Sequence, residues 1–203
     1  MLKTVLSIRN QIASTKNVSF LFCDMQEHFR KHTYKGECVW EVAEHMAKFS
    51  KILNIPQYIT EHRKEVFGET ISEILKNTNE KTQISQKTRF SMYDLDFINK
   101  NFSQDEVFVL LGVEAQVCIT HTALTILESN RKLVLITDAI SSRHQGERNI
   151  ALKNLQNCGA YLTTSEALMF LHLQDSKNEN FKKLLPMFKK DRKLDLLNET
   201  DFL

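Results

Sequence analysis

Short, almost wholly apolar runs alternate along this chain with longer segments whose apolar residues recur at helical spacing. That alternation admits few architectures. Residues 18–23 read VSFLFC, as suits a strand buried on both faces at the centre of a parallel sheet. Residues 37–53 then place Val39, Val42, Ala43, Met46, Phe49, Ile52 and Leu53 at helical intervals, with Pro56 just beyond the end. Further strands are expected at residues 57–60, 83–85, 106–111, 132–137 and 160–162. Helices are expected at 70–75, 95–99, 116–128 and 143–157, with Gly159 closing the last of these and Ser165 capping another. The order implies an α/β protein with a three-layer α/β/α, Rossmann-like fold, built on a central parallel sheet of about six strands.

A length of 203 residues suits one domain. No composition shift or linker divides it, so residues 18–190 read as the domain. Residues 1–17 then form an N-terminal lead-in and 191–203 a C-terminal tail. A formal net charge of +2 is too small to argue for a nucleic acid or a membrane surface as principal partner. Residues 181–203 hold Lys182, Lys183, Lys189, Lys190, Arg192 and Lys193, but the few aromatics among them do not alternate with the basic residues as a base-stacking platform would. They read as a solvated helical end packing Leu184, Leu185 and Phe188. No run approaches the roughly 18 apolar residues of a membrane span. Cys23, Cys38, Cys118 and Cys158 form no CxxC pair, so they read as reduced thiols of a cytoplasmic protein. Residues 1–23 carry Lys3, Arg9 and Lys16 and no acid, leaving a mitochondrial address open.

Several chemistries lack their signatures. There is no GxGxxG, no GxxxxGK[ST] and no GxSxG. His28 and His32 share a spacing that zinc could use, but no third ligand stands at a sensible distance. What remains is an acid, a cation and a thiol, each placed where an apolar run gives way: Asp24, Lys87 and Cys118. In open parallel sheets that edge is where ligands bind. A cysteine alone is more often packing than chemistry. Here Cys118 follows Gly112 at the start of an expected helix, whose free N–H groups favour a thiolate and can receive an oxyanion.

The segments FLFCDMQEHFR, KTRFSM, GVEAQVCI, DAISSR and GAYLTTSEAL occur in that order, and together they resemble the isochorismatase-like hydrolase superfamily, especially its eukaryotic isochorismatase domain-containing proteins. The likeness runs from about Ser19 to Lys190. It implies a Cys–Asp–Lys triad: Cys118 as nucleophile, Asp24 as general base, Lys87 as orienter and charge stabiliser. It also implies a cis peptide at Val113–Glu114 and an oxyanion hole from the backbone N–H groups of Glu114 and Cys118. Metal-dependent nicotinamidases of the superfamily carry Asp-x-His after the second strand. This chain has Thr60-Glu61-His62-Arg63-Lys64 there, so neither metal nor other cofactor is expected. Retention of Cys118 points to acyl chemistry, namely cleavage of an amide-like C–N bond through a thioester. Phe29, Phe90, Tyr93 and Gln26, with Trp40, are candidates for the substrate pocket. The expected partners are a small-molecule substrate and further copies of the chain, as dimer or tetramer. Two alternatives stay open: a binding or scaffold protein that keeps the fold without useful turnover, and nucleic-acid processing through the basic tail.

Overall fold

The computed structural model describes residues 2–189. Six strands, β1 (Val18–Cys23), β2 (Gln57–His62), β3 (Gln83–Lys87), β4 (Val107–Gly112), β5 (Lys132–Ile140) and β6 (Tyr161–Thr163), form one sheet in the order β3-β2-β1-β4-β5-β6. All neighbouring pairs are parallel. Ten α-helices accompany it: α1 (Leu2–Ser14), α2 (Glu27–Arg30), α3 (Gly36–Ile52), α4 (Lys64–Phe67), α5 (Ser72–Leu75), α6 (Leu95–Asn101), α7 (Thr120–Glu128), α8 (Gln145–Asn157), α9 (Ser165–Leu173) and α10 (Phe181–Phe188). Among the described residues, no helix is long and apolar enough to cross a membrane.

Sequence and position in the sheet agree strand by strand. Every residue of β1 and β4 is buried, as their unbroken apolar runs require of central strands. The edge strand β3, QISQK, is mostly exposed and polar. The chain leaves β1 on one side towards β2 and later enters β4 on the other, so the sheet's order reverses between β1 and β4. The carboxyl ends of these two strands therefore flank the crevice in which ligands bind in such sheets.

At Gly112 the backbone has φ +130°, and an added Cβ would lie 2.1 Å from the Cys23 carbonyl oxygen. Both effects act on the register that pairs Cys23 with Gly112. Gly112→Ala is expected to destabilise the fold by about 3 kcal/mol, measured as a lower urea midpoint. An unchanged midpoint would contradict this close approach.

Several boundaries differ from the sequence expectation. β5 runs on to Ile140 although Asp138 interrupts its apolar run, because Asp138 is buried against a partner. It accepts the Ser165 backbone N–H at 2.8 Å and the Ser165 hydroxyl at 2.6 Å. The Ser165 side chain is thus committed to Asp138 and does not cap α9. Thr164 does so, accepting the Ala167 N–H. The lead-in forms α1, whose Ile8 and Ile12 join the core. In α10, Leu184 and Met187 are buried, and Phe188 stacks on Phe170 at 4.7 Å. The expected tail at 191–203 lies outside the described residues.

His172 on α9 is buried and donates Nδ1–H to the Ile12 carbonyl at 3.1 Å, with Phe49 edge-on at 5.7 Å. Burial, opposed by the bond to Ile12, holds its imidazole below the ordinary value of 6.5. The unfolded chain therefore takes up this proton at higher pH than the folded one, and stability must fall as pH drops below that value. Thermal melts from about pH 7 to about pH 5.5 should show a steeper loss in the wild type than in His172→Gln. Equal slopes would remove His172 from the account.

Candidate active site

Asp24 follows β1 directly and turns the chain through the left-handed region at φ +54°, a conformation that aspartate tolerates better than most residues. Its backbone N–H donates to the Thr60 carbonyl at 3.2 Å, and the Thr60 hydroxyl donates to Oδ1 at 2.8 Å. The carboxylate is 1% exposed. Lys87 ends β3, two strands away, and its long stem crosses the end of β2 to place Nζ 2.7 Å from Asp24 Oδ2. Adjacent strands lie about 4.8 Å apart, so a short side chain could not make this span. Nζ also donates to the Arg89 and Phe90 carbonyls, at 3.1 and 3.0 Å, and to Cys118 Sγ at 3.4 Å. These three contacts match the ammonium's three protons. Oδ2 is left with the charge of Lys87 but no aligned hydrogen bond, which suits a base.

Beyond Gly112 the Val113–Glu114 peptide is cis. Cys118 lies in a π-helical turn, Ala115–Ile119, and not in the ordinary first helical turn that the sequence suggests. Such turns recur at functional sites. Neighbouring segments fix it. The Ala115 N–H donates to the Ser141 carbonyl at 2.9 Å and to Ser142 Oγ at 3.2 Å. Thr122 Oγ1 donates to the Cys118 carbonyl at 2.7 Å and accepts the Met92 N–H at 3.0 Å. Thr122 thereby ties the loop after Lys87 to the turn that carries the thiol.

The electrostatics follow from burial and charge. Burial works against the Lys87 ammonium, yet the attraction of its anionic surroundings, Asp24 among them, outweighs it and holds the lysine above its usual value. Cys23, wholly buried, is pushed well above the ordinary thiol value by burial, by its hydrogen bond to Cys118 and by the Asp24 charge. Cys23 therefore stays protonated beside the Cys118 sulfur. His62 is held below 6.5 by burial and by Lys87, so it stands neutral near the cluster.

Asp24 and Cys118 open into a cavity of about 230 Å³. Phe29, Phe67 and Phe90 form an aromatic wall with His62: Phe29–Phe67 ring centroids are 4.8 Å apart, His62–Phe67 5.8 Å and His62–Phe90 6.1 Å. His28, His32 and Arg143 also line the cavity, and Arg143 gives it a cationic group. Phe29 and Phe90, expected from the sequence, line it; Gln26, Tyr93 and Trp40 do not. The Gln26 amide is consumed in clamping the backbone, accepting the His62 N–H at 2.8 Å and donating to the His62 and Gly68 carbonyls. Tyr93 stacks on Phe97 at 4.3 Å along a different cleft, and burial raises its phenol to about 12. Trp40 is buried in the core on α3. His121 is exposed and packs on Phe90 at 5.5 Å.

Sulfur and carboxylate atoms of Cys23, Asp24 and Cys118 lie within 4.8 Å of one another, a donor set that a soft metal could use. It does not fit a resident divalent ion, because the Lys87 ammonium already contacts two of the three. At the position of the nicotinamidases' Asp-x-His pair, the buried Glu61 accepts the Thr70 N–H at 2.8 Å and pairs with Lys64 at 3.2 Å, so its charge is likewise compensated. Thr60, Thr122, Ser141, Ser142 and Arg143 escaped sequence reasoning. Only the segment DAISSR, which contains both serines, carried a signal.

The model of the Isochorismatase domain family matches residues 19–167. Isochorismatase family protein 1A of Dictyostelium discoideum is 32% identical over 188 residues, covering 90% of this chain and 91% of that one. Isochorismatase domain-containing protein 2 of Danio rerio is 36% identical, covering 84% and 86%. Among solved structures, the MAR1 ribonuclease from Caenorhabditis elegans superposes with a TM-score of 0.81 at 29% identity, covering 87% of this chain and 91% of that one. These likenesses define the class, a hydrolase of the isochorismatase-like kind. The chain belongs to the isochorismatase domain family.

Proposed function

We propose that the protein is a cysteine hydrolase that cleaves an amide-like C–N bond of a small molecule through a thioester on Cys118, without a cofactor. The observation that carries this reading is the single ammonium of Lys87, buried and in contact with both Asp24 Oδ2 at 2.7 Å and Cys118 Sγ at 3.4 Å. It favours the thiolate and holds the base beside it. Asp24 takes the thiol proton, and the thiolate adds to the carbonyl carbon. The backbone N–H groups of Glu114 and Cys118 receive the oxyanion. Protonated Asp24 then gives its proton to the departing amine as the C–N bond breaks, leaving the thioester. A water loses its proton to the same carboxylate and attacks, and the C–S bond breaks to return the thiolate.

A cavity of about 230 Å³ suits a substrate of a few ring-sized groups. The aromatic wall would take a planar group, and Arg143 an acidic one. Assembly as a homodimer or tetramer belongs to the same reading, supported by Phe90 and Leu124, which are 50% and 45% exposed on one side of the site. The ribonuclease description of the C. elegans neighbour gives the nucleic-acid reading a specific observation. The buried triad argues against it, since a strand could not bring its backbone to Asp24. RNA binding that weakens steeply with salt would favour it.

The test is hydrolysis of a panel of small carboxamides and N-carbamoyl acids. Asp24→Asn is expected to lower turnover of any accepted substrate by about 10²–10⁴-fold. Undiminished turnover in that variant would remove Asp24 as the base.

A further inference from the structure

Cys23 has no part in the hydrolytic scheme, yet it stands against the nucleophile. We propose that Cys23 and Cys118 form a paired-thiol modification site, which a hydroperoxide converts to an intramolecular disulfide that reversibly closes the active site. The inference rests on the reading of Cys118 as a thiolate nucleophile.

Three observations carry it. The two sulfurs lie within 4.8 Å of each other. Only Cys118 lines the cavity, whereas Cys23 is fully buried behind it. Of the remaining thiols, Cys38 and Cys158, neither belongs to the cluster. Of the pair, a small peroxide can therefore reach only Cys118, and the lysine that favours the thiolate for hydrolysis also favours it for oxidation.

The chemistry balances with the peroxide as the sole oxidant. The Cys118 thiolate attacks one oxygen of hydrogen peroxide, the O–O bond breaks, and the departing hydroxide takes the thiol proton held by Asp24 and leaves as water. Cys118 is then a sulfenic acid, oxidised by two electrons. Cys23 sulfur next attacks the Cys118 sulfur, Asp24 accepts the Cys23 proton and passes it to the leaving hydroxyl, and a second water departs. Two thiols and one peroxide thus give one disulfide and two waters. The high thiol value of Cys23 slows the second step, but proximity offsets this, since no encounter is needed. For the bond to form, the sulfurs must close from within 4.8 Å to about 2.05 Å. The disulfide removes the nucleophile and spares it from irreversible sulfinic acid.

The experiment uses the full chain. Cys118 labelling by iodoacetamide at neutral pH is first timed. The protein is then exposed to a modest excess of hydrogen peroxide, and its thiols are counted by alkylation in denaturant and mapped as non-reduced peptides. The expected result is rapid initial labelling, then a fall from four alkylatable thiols to two, a linked Cys23–Cys118 peptide, and full recovery of labelling with dithiothreitol. Cys23→Ala should instead pass to sulfinic acid and fail to recover. Rapid initial labelling followed by sulfinic acid in both proteins, or a link to Cys38 or Cys158, would overturn the proposal while leaving the hydrolase reading intact. Slow initial labelling would overturn both. The peptide map of the wild type decides the matter even if Cys23→Ala folds poorly.

Discussion

Cys118→Ala is expected to abolish turnover of any substrate the wild type hydrolyses, by about 10⁴-fold or more, as loss of a nucleophile does where the rest of the site acts only through it. Stability should change little. The side chain is 7% exposed and borders an open cavity, so its removal costs about 1 kcal/mol or less. The contrast is the informative part, because a cysteine that merely packed would show the reverse: a clear loss of stability and unaltered chemistry. Parallel urea curves and rate measurements on the same preparation separate the two. Retained turnover would mean that the thioester route is wrong.

Lys87→Met should damage stability and reactivity together. The methionine keeps most of the stem but removes the charge, leaving the 1%-exposed Asp24 carboxylate with the Thr60 hydroxyl and no counter-ion. Breaking a buried pair from one side costs about 3–5 kcal/mol. Adding Asp24→Asn removes the stranded charge, so the double variant should regain most of that loss, as a double-mutant cycle would register. Reactivity should not return with it. A double variant as unstable as Lys87→Met alone would show that the lysine contributes mainly through its carbonyl contacts at Arg89 and Phe90.

What the sequence disclosed was whatever leaves a local pattern. β1 and β4 were legible because central strands are apolar on both faces, and their carboxyl ends directed attention to Asp24 and Cys118. The reading failed where a side chain's partner is distant in the chain. Ser165 looks like a cap until Asp138 is placed beside it. Gln26 looks like a pocket residue until the strand after it supplies the His62 backbone. The π-helical form of the turn at Cys118 leaves no mark in AQVCI, since it depends on Ser141 and Ser142 taking the Ala115 N–H. Cys23 read as an ordinary buried thiol, because nothing local says that another sulfur, 95 positions on by their numbers, will stand against it.

The central claim is that Asp24 and Lys87 make Cys118 a thiolate. The direct measurement is the rate of Cys118 alkylation at neutral pH, followed by peptide mass beside that of Cys158, in the wild type, Lys87→Met and Asp24→Asn. Cys118 is expected to alkylate well ahead of the exposed Cys158 in the wild type, and at a changed rate in both variants. A Cys118 rate no higher than that of Cys158, and equal in all three proteins, would be incompatible with that activation.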